Sequence, residues 1–189
     1  NNFKYYLEKY NNVDVLVGDC GMRWGGSKAP IEIFQCIYAI LFPKKGGSFI
    51  IKLYSLSTSK LYYSLLYVLT SLYEDVSIFK SNTNFWSAEI YLIGQNKLRD
   101  LTEAERTDMI NIAIQAKHGE GDYLYPVNKV PHEFIDEYKT IISNIYNVSS
   151  KTKLFFAFLS YHQGLFKENK TKLVDLINKK IEIWVKKYL

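Results

Sequence analysis

Pro43-Lys44-Lys45-Gly46-Gly47-Ser48-Phe49-Ile50-Ile51-Lys52-Leu53-Tyr54 sets a helix stop and a strand signal side by side. The apolar residues Pro30 to Phe42 are numerous enough for a helix, which Pro43 and the glycine pair end. Ser48 to Tyr54 then reads as a strand. Upstream, Val13-Asp14-Val15-Leu16-Val17 is a second strand-like run, stopped by Gly18-Asp19-Cys20-Gly21. Downstream, Ser59 to Tyr73 places Leu61, Leu65, Leu66, Leu69 and Leu72 at helical spacing, behind the capping hydroxyls of Ser57-Thr58-Ser59. A weaker strand, Asp75–Phe79, precedes a stronger one, Ala88–Ile93, which stops at Gly94. The order is strand, helix, strand, helix, strand, strand, which is an α/β pattern.

The runs flanking the crossover helices are almost wholly apolar, as expected of parallel strands covered on both faces. The short polar loop Lys80 to Ser87 suits a terminal antiparallel pair. Four strands leave the first with a bare apolar edge, which another segment or another chain should cover. After residue 97 the chain turns helical. Thr102-Glu-Ala-Glu resembles a capping signal, and Met109, Ile110, Ala113 and Ile114 form a stripe. A loop from His118 to Pro131 follows, then helices over Glu133–Tyr146, Lys151–Tyr161 and Lys167–Tyr188. In the last, Leu173, Leu176, Ile177, Ile181 and Trp184 share a face opposite lysines. No internal repeat or low-complexity tract interrupts this division into residues 1–97 and 98–189.

The 189 residues are 48% hydrophobic and 23% charged, with 16 Tyr and 11 Phe, which excludes a disordered tail. The longest nearly uncharged run, Ile33 to Phe42, is too short to span a membrane. Two cysteines, Cys20 and Cys36, form no disulfide framework or metal-finger spacing, which points to a reducing, cytoplasmic setting. The opening Asn-Asn, without Met, suggests a processed product or a subunit rather than a complete reading frame. Net charge is +5, concentrated at the carboxyl end, where residues 151–189 carry nine Lys against three acids. Such an end attracts polyanions, RNA among them, although a solvated lysine-rich helix gives the same pattern.

Three charges interrupt the strand-like runs. Asp19 follows the first, Lys52 lies near the end of the second, and Glu89 sits just inside the last. Taken singly, Asp19 reads as a turn former and the other two as solvated strand ends. Together on neighbouring strands they would have to meet, because unpaired buried charge is costly. The carboxyl ends of parallel strands are also where open α/β sheets bind ligands.

Val13–Gly21, Leu41–Tyr54 and Lys80–Gly94 resemble the second half of the FtsJ-like (RrmJ-type) ribose 2′-O-methyltransferase family. That family joins a strand ending in Asp, a Pro-Gly-Gly-x-hydrophobic-hydrophobic-x-Lys strand and a Ser-x-Glu-x-Tyr strand. The matching residues are Asp19, Phe42 to Lys52, and Ser87-Ala88-Glu89-Ile90-Tyr91, within about residues 10–97. The segment Lys80-Ser81-Asn82-Thr83-Asn84-Phe85 lacks the family's Pro and Arg. The glycine-rich S-adenosylmethionine loop, the ribose-binding acid and the first catalytic Lys have no counterpart and would lie before Asn1. Gly25-Gly26 and Gly119-Glu120-Gly121 do not replace that loop. The resemblance thus implies the carboxyl-terminal half of a Rossmann-like methyltransferase sheet, parallel strands plus a terminal antiparallel pair, followed by a helical extension.

It also implies S-adenosylmethionine as methyl donor and an RNA ribose hydroxyl as acceptor, with no DNA and no membrane partner. Lys52 would accept or steer the 2′-hydroxyl proton, and as a base it would need a lowered pKa. Asp19 and Glu89 would orient Lys52, and Asp19 would lie near the methionine portion of the cofactor. Arg23, Trp24 and Lys28 could contact RNA by phosphate pairing and stacking, or pack as a loop. Lys179, Lys180, Lys186 and Lys187 are the RNA candidates of the basic end. His118, His132 and His162 lack metal-ligand spacing, and Cys20 reads as a buried thiol. The segment from Glu89 into a helical extension resembles cap-modifying members of eukaryotes and large DNA viruses, so mRNA near the cap is the expected substrate. Ribosomal or transfer RNA is the second choice, and a Lys/Asn/Ile-rich composition fits an AT-rich viral or protist genome, with a viral replication site as another setting. The expected partner is an amino-terminal half or an active subunit. The other class is a non-catalytic subunit that binds RNA or stabilises an active partner.

Overall fold

A computed structural model describes residues 5–6, 9–20, 29–54, 60–80, 89–117, 130–161 and 163–188. The chain runs as β1 (Val13–Gly18), α1 (Ala29–Leu41), β2 (Pro43–Leu53), α2 (Lys60–Leu72), β3 (Tyr73–Phe79) and β4 (Ile90–Lys97), followed by α3 (Glu103–Lys117), α4 (His132–Tyr161) and α5 (Gln163–Tyr188). The strands form one mixed α/β sheet in the order β1-β2-β4-β3. β1 and β2 are parallel, and β4 is antiparallel to both β2 and β3.

Side-chain alternation explains which face is covered. Phe49, Ile51 and Leu53 of β2 share one face with Ile90 and Leu92 of β4, and all are buried. On this face they pack with Ile37 and Ile40 of α1, Leu65 and Leu69 of α2, and Met109 of α3. Burying each such side chain contributes on the order of 1.5–3 kcal/mol. The other face carries Val15 and Val17 of β1, Ile50 of β2 and Phe79 of β3, all exposed. Among the described residues, helices therefore cover one face, where the apolar runs predict two. β1 pairs with β2 alone, so its outer edge stays open among the described residues, as the strand count predicts.

Two strand boundaries differ from the expectation. β2 starts at Pro43 rather than Ser48, and the register with β1 jumps from Val13↔Pro43 to Val15↔Ser48. The extra residues are held by a Lys44–Asp14 ion pair at 2.6 Å. β4 runs through Gly94 to Lys97 instead of stopping at the glycine. Gly94 lies opposite Phe49, and a Cβ there would run into the Phe49 ring, so this glycine makes room within a strand. The Phe49 ring meets Tyr73 edge-on at 4.8 Å, and the Tyr73 hydroxyl donates to the Ala39 carbonyl at 2.6 Å. Lys97 is fully buried, with Nζ donating to the carbonyls of Ile40 and Pro43 at 2.8 and 2.7 Å. It thereby satisfies the end of α1, whose last carbonyls lack partners in the helix.

α3 opens with the capping box that its sequence suggests. The Thr102 amide donates to Glu105 Oε2 at 2.9 Å, and the Glu105 amide donates back to Thr102 Oγ1 at 3.3 Å. Arg99 grips the same carboxylate at 2.7 and 2.8 Å and holds its pKa down to about 2. Within the α3 stripe Met109 and Ala113 are buried with Ile112, whereas Ile114 is exposed. The two helices expected over 133–161 are a single helix, α4. The residues between them, Asn147-Val148-Ser149-Ser150, include neither Pro nor Gly and cost a helix only tenths of a kcal/mol each.

The chain divides into compact units of residues Asn1–Ile145 and Tyr146–Leu189. The first includes the sheet, α3 and the start of α4, where Tyr138 and Ile142 join the core. The second consists of the remainder of α4 and α5; of the apolar face expected in α5, Leu176 and Ile181 are exposed, and the side chains of Leu173, Ile177 and Trp184 lie outside the description. No described helix is long and apolar enough to cross a membrane.

Candidate active site at the sheet rim

Because β1 and β2 are parallel, both end at the same rim, with Gly18↔Ile51 as their last registered pair. Asp19 is the first residue beyond β1, and Lys52 the next along β2. Alternation sends both side chains to the open face, in line with Val15 and Val17 on one strand and Ile50 on the other. There the Lys52 ammonium forms an ion pair with Asp19. It also lies 5.3 Å from the centre of the Tyr54 ring. The Lys52 side chain is 12% exposed and that of Asp19 67%, so a lysine covered along most of its length meets a carboxylate that reaches into solvent.

The hydrogen bond to Asp19 pushes the Lys52 pKa up, and the Tyr54 side chain adds to it; burial pulls the other way and is outweighed. This corrects the expectation of a lowered pKa, because the carboxylate lies within hydrogen-bond reach of the ammonium. Lys52 is accordingly held protonated, able to donate hydrogen bonds and to stabilise negative charge but not to take a proton while paired.

Glu89 directly precedes β4, which begins opposite the end of β2 through the pairs Leu53↔Ile90 and Lys52↔Tyr91. Continuing the alternation back one residue places Glu89 on the same face as Tyr91 and Lys52. It is half-buried, and its main-chain carbonyl accepts a hydrogen bond from Lys80 Nζ at 2.7 Å. The fold thus brings Asp19 and Lys52 into contact and delivers Glu89 to the same rim on the neighbouring strand.

Arg23, Trp24 and Lys28 lie outside the described residues, as do His118 and His162. Lys179, Lys180 and Lys186 are exposed on α5; Lys187 belongs to the same helix, its side chain outside the description. Cys20 is exposed, against the expectation of a buried thiol, because it follows Asp19 out of the strand; Cys36 is buried, and burial pushes its pKa up. His132 opens α4, and no group of three His, Cys, Asp or Glu among the described residues could hold a metal ion. The sequence did not single out Glu32 and Gln35, both buried on α1 and bonded to the main chain of β2 beside Lys52. Their signal is present all the same: two polar residues at i, i+3 within an otherwise apolar helix.

No protein-family model matches the chain, and no curated protein matches it.

Proposed function

We propose that this chain supplies the reacting rim of an S-adenosylmethionine-dependent RNA ribose 2′-O-methyltransferase acting near the mRNA cap. The observation that carries the reading is the Asp19–Lys52 ion pair at the common end of two parallel strands, with Glu89 on the same face of the adjoining strand. In this reading the sheet β1-β2-β4-β3 is part of a larger Rossmann-like sheet, continued from the open edge of β1 by a polypeptide that carries the glycine-rich loop. Bound S-adenosylmethionine would supply an electrophilic methyl group. The exposed carboxylate of Asp19 suits the ammonium of the cofactor's methionine end, whereas the described residues offer no glycine loop for the rest, so the fit is partial. While charged, Lys52 would orient the ribose hydroxyl through a donated hydrogen bond. Once Asp19 turns to another cation, the Lys52 pKa falls, the ammonium can release its proton to solvent, and the amine so formed would accept the hydroxyl proton and, charged again, stabilise the oxygen.

One observation favours a second reading. The pairing that keeps Lys52 charged also suits a rim that no longer catalyses, in which case the chain is a non-catalytic subunit that binds RNA or stabilises an active partner. Calorimetry with S-adenosylmethionine separates the two, run on the chain alone and with a glycine-loop partner or upstream segment. Binding that appears only in the combination, and weakens in Asp19→Ala, supports the methyltransferase. Failure to bind in either state leaves the platform.

A further inference from the structure

α1 is the most apolar of the described helices, yet Glu32 and Gln35 stand in its buried face at 1% and 4% exposure. Both reach the main chain at the end of β2, on either side of its last residue, Leu53. Gln35 Nε2 donates to the Lys52 carbonyl at 2.8 Å, and Glu32 Oε1 accepts the Tyr54 amide at 2.5 Å. Those two main-chain groups, two residues apart, point to the same side of an extended strand. β1 has stopped pairing by then, its last registered pair being Gly18↔Ile51. Two side chains one helical turn apart thus bond the end of β2 beyond the reach of its neighbouring strand, where unpaired main-chain groups would be costly.

Gln35 is more than a filler of space. Its Oε1 is buried and accepts no hydrogen bond among the described residues, a cost that an apolar residue of similar size would avoid. The same oxygen sits so close to Gly18 that a Cβ there would lie 2.7 Å away, so the end of β1 is fitted to the amide as well. What Gln35 contributes is the donor to the carbonyl of Lys52.

We propose that Glu32 and Gln35 are positioning residues for Lys52, fixing the last turn of the β2 main chain so that the ammonium is delivered to Asp19 on the open face. The inference rests on reading Lys52 as part of the reacting rim, but its test requires no methyl transfer. Trace acetylation of the full chain at pH 8, read lysine by lysine by mass spectrometry, reports the free-amine fraction and access of Lys52 relative to exposed Lys151 and Lys153. In Gln35→Leu and Glu32→Leu the Lys52 pair with Asp19 loosens, and its relative labelling rises about tenfold for each unit by which its pKa falls. Glu32→Gln keeps an acceptor for the Tyr54 amide and leaves Lys52 within about twofold of wild type. Ile37→Val, a packing change on the same helix, lowers Tm without changing Lys52 labelling. Should Gln35→Leu fail to fold, Gln35→Met, which also lacks the donor, is measured in its place. Unchanged Lys52 labelling in the folded Gln35 variant, or an equal rise in Ile37→Val, overturns the proposal. A chain that never transfers methyl groups overturns the functional reading and leaves this result standing.

Discussion

Lys52 shows how far a single residue can be read before its surroundings are known. A lone charge near the end of an apolar run marks it in the sequence, as position marks Asp19 and Glu89. Its protonation was not legible, because that depends on whether carboxylate or burial dominates, and the pairing geometry decides for the carboxylate. Asp19→Asn removes the charge while keeping the shape. The account predicts that the Lys52 midpoint, followed through its 13Cε signal, then falls by at least about one unit. A midpoint that stays where it is in wild type would show that Asp19 does not set the state of Lys52. Glu32 and Gln35 escaped the sequence reading for a physical reason: polar residues on a helix ordinarily face water, and only the packing reveals that this face is turned inward.

The elements themselves were largely legible, since Leu65, Leu66, Leu69 and Leu72 keep helical spacing, whereas 49–53 is a short apolar run bounded by Gly46-Gly47. Boundaries were less so. Gly94 reads as punctuation, whereas its role is to leave space for Phe49, a neighbour forty-five residues away in sequence and invisible to local pattern. Lys97 falls past the Gly94 at which the sequence stops the strand, and is instead the buried end of β4, tied to α1. Burial lowers its pKa from 10.5 to about 8, with Asp100 opposing and Arg106 and Arg99 reinforcing the shift. A lysine whose folded pKa is depressed binds fewer protons than the unfolded chain between those values, so stability should rise as pH increases from 8. Burial raises the pKa of Cys36 from its ordinary 9.0 and also that of Tyr73, which work against stability above about pH 9 and pH 10 respectively, so the clean window is about pH 8 to 9. Urea unfolding across that window should show the rise in wild type and a flatter profile in Lys97→Met. Parallel profiles would place the titration elsewhere.

At the scale of the whole molecule, the open edge of β1 among the described residues was foreseeable from counting strands, but the bare second face, with Val15 and Val17 exposed on it, was not. Apolar runs look alike whether the covering layer belongs to the same chain or to another. The unit of residues 146–189 exposes Lys179, Lys180 and Lys186 on α5, with Lys187 on the same helix. If these lysines meet RNA phosphates, changing all four to Gln weakens RNA binding and reduces the slope of log affinity against log salt by roughly 0.7 for each phosphate no longer neutralised. An unchanged slope would assign them to solvation. The central claim, that the Asp19–Lys52–Glu89 rim carries methyl transfer to a ribose hydroxyl, is tested most directly by labelled methyl transfer to capped RNA. The chain is combined with a polypeptide bearing the glycine loop, and wild type is compared with Lys52→Ala. The account predicts 2′-O-methylated product from wild type and a drop of at least about 100-fold in Lys52→Ala, with cofactor affinity kept within a few-fold. Equal transfer by both proteins, or no transfer by either, would contradict it.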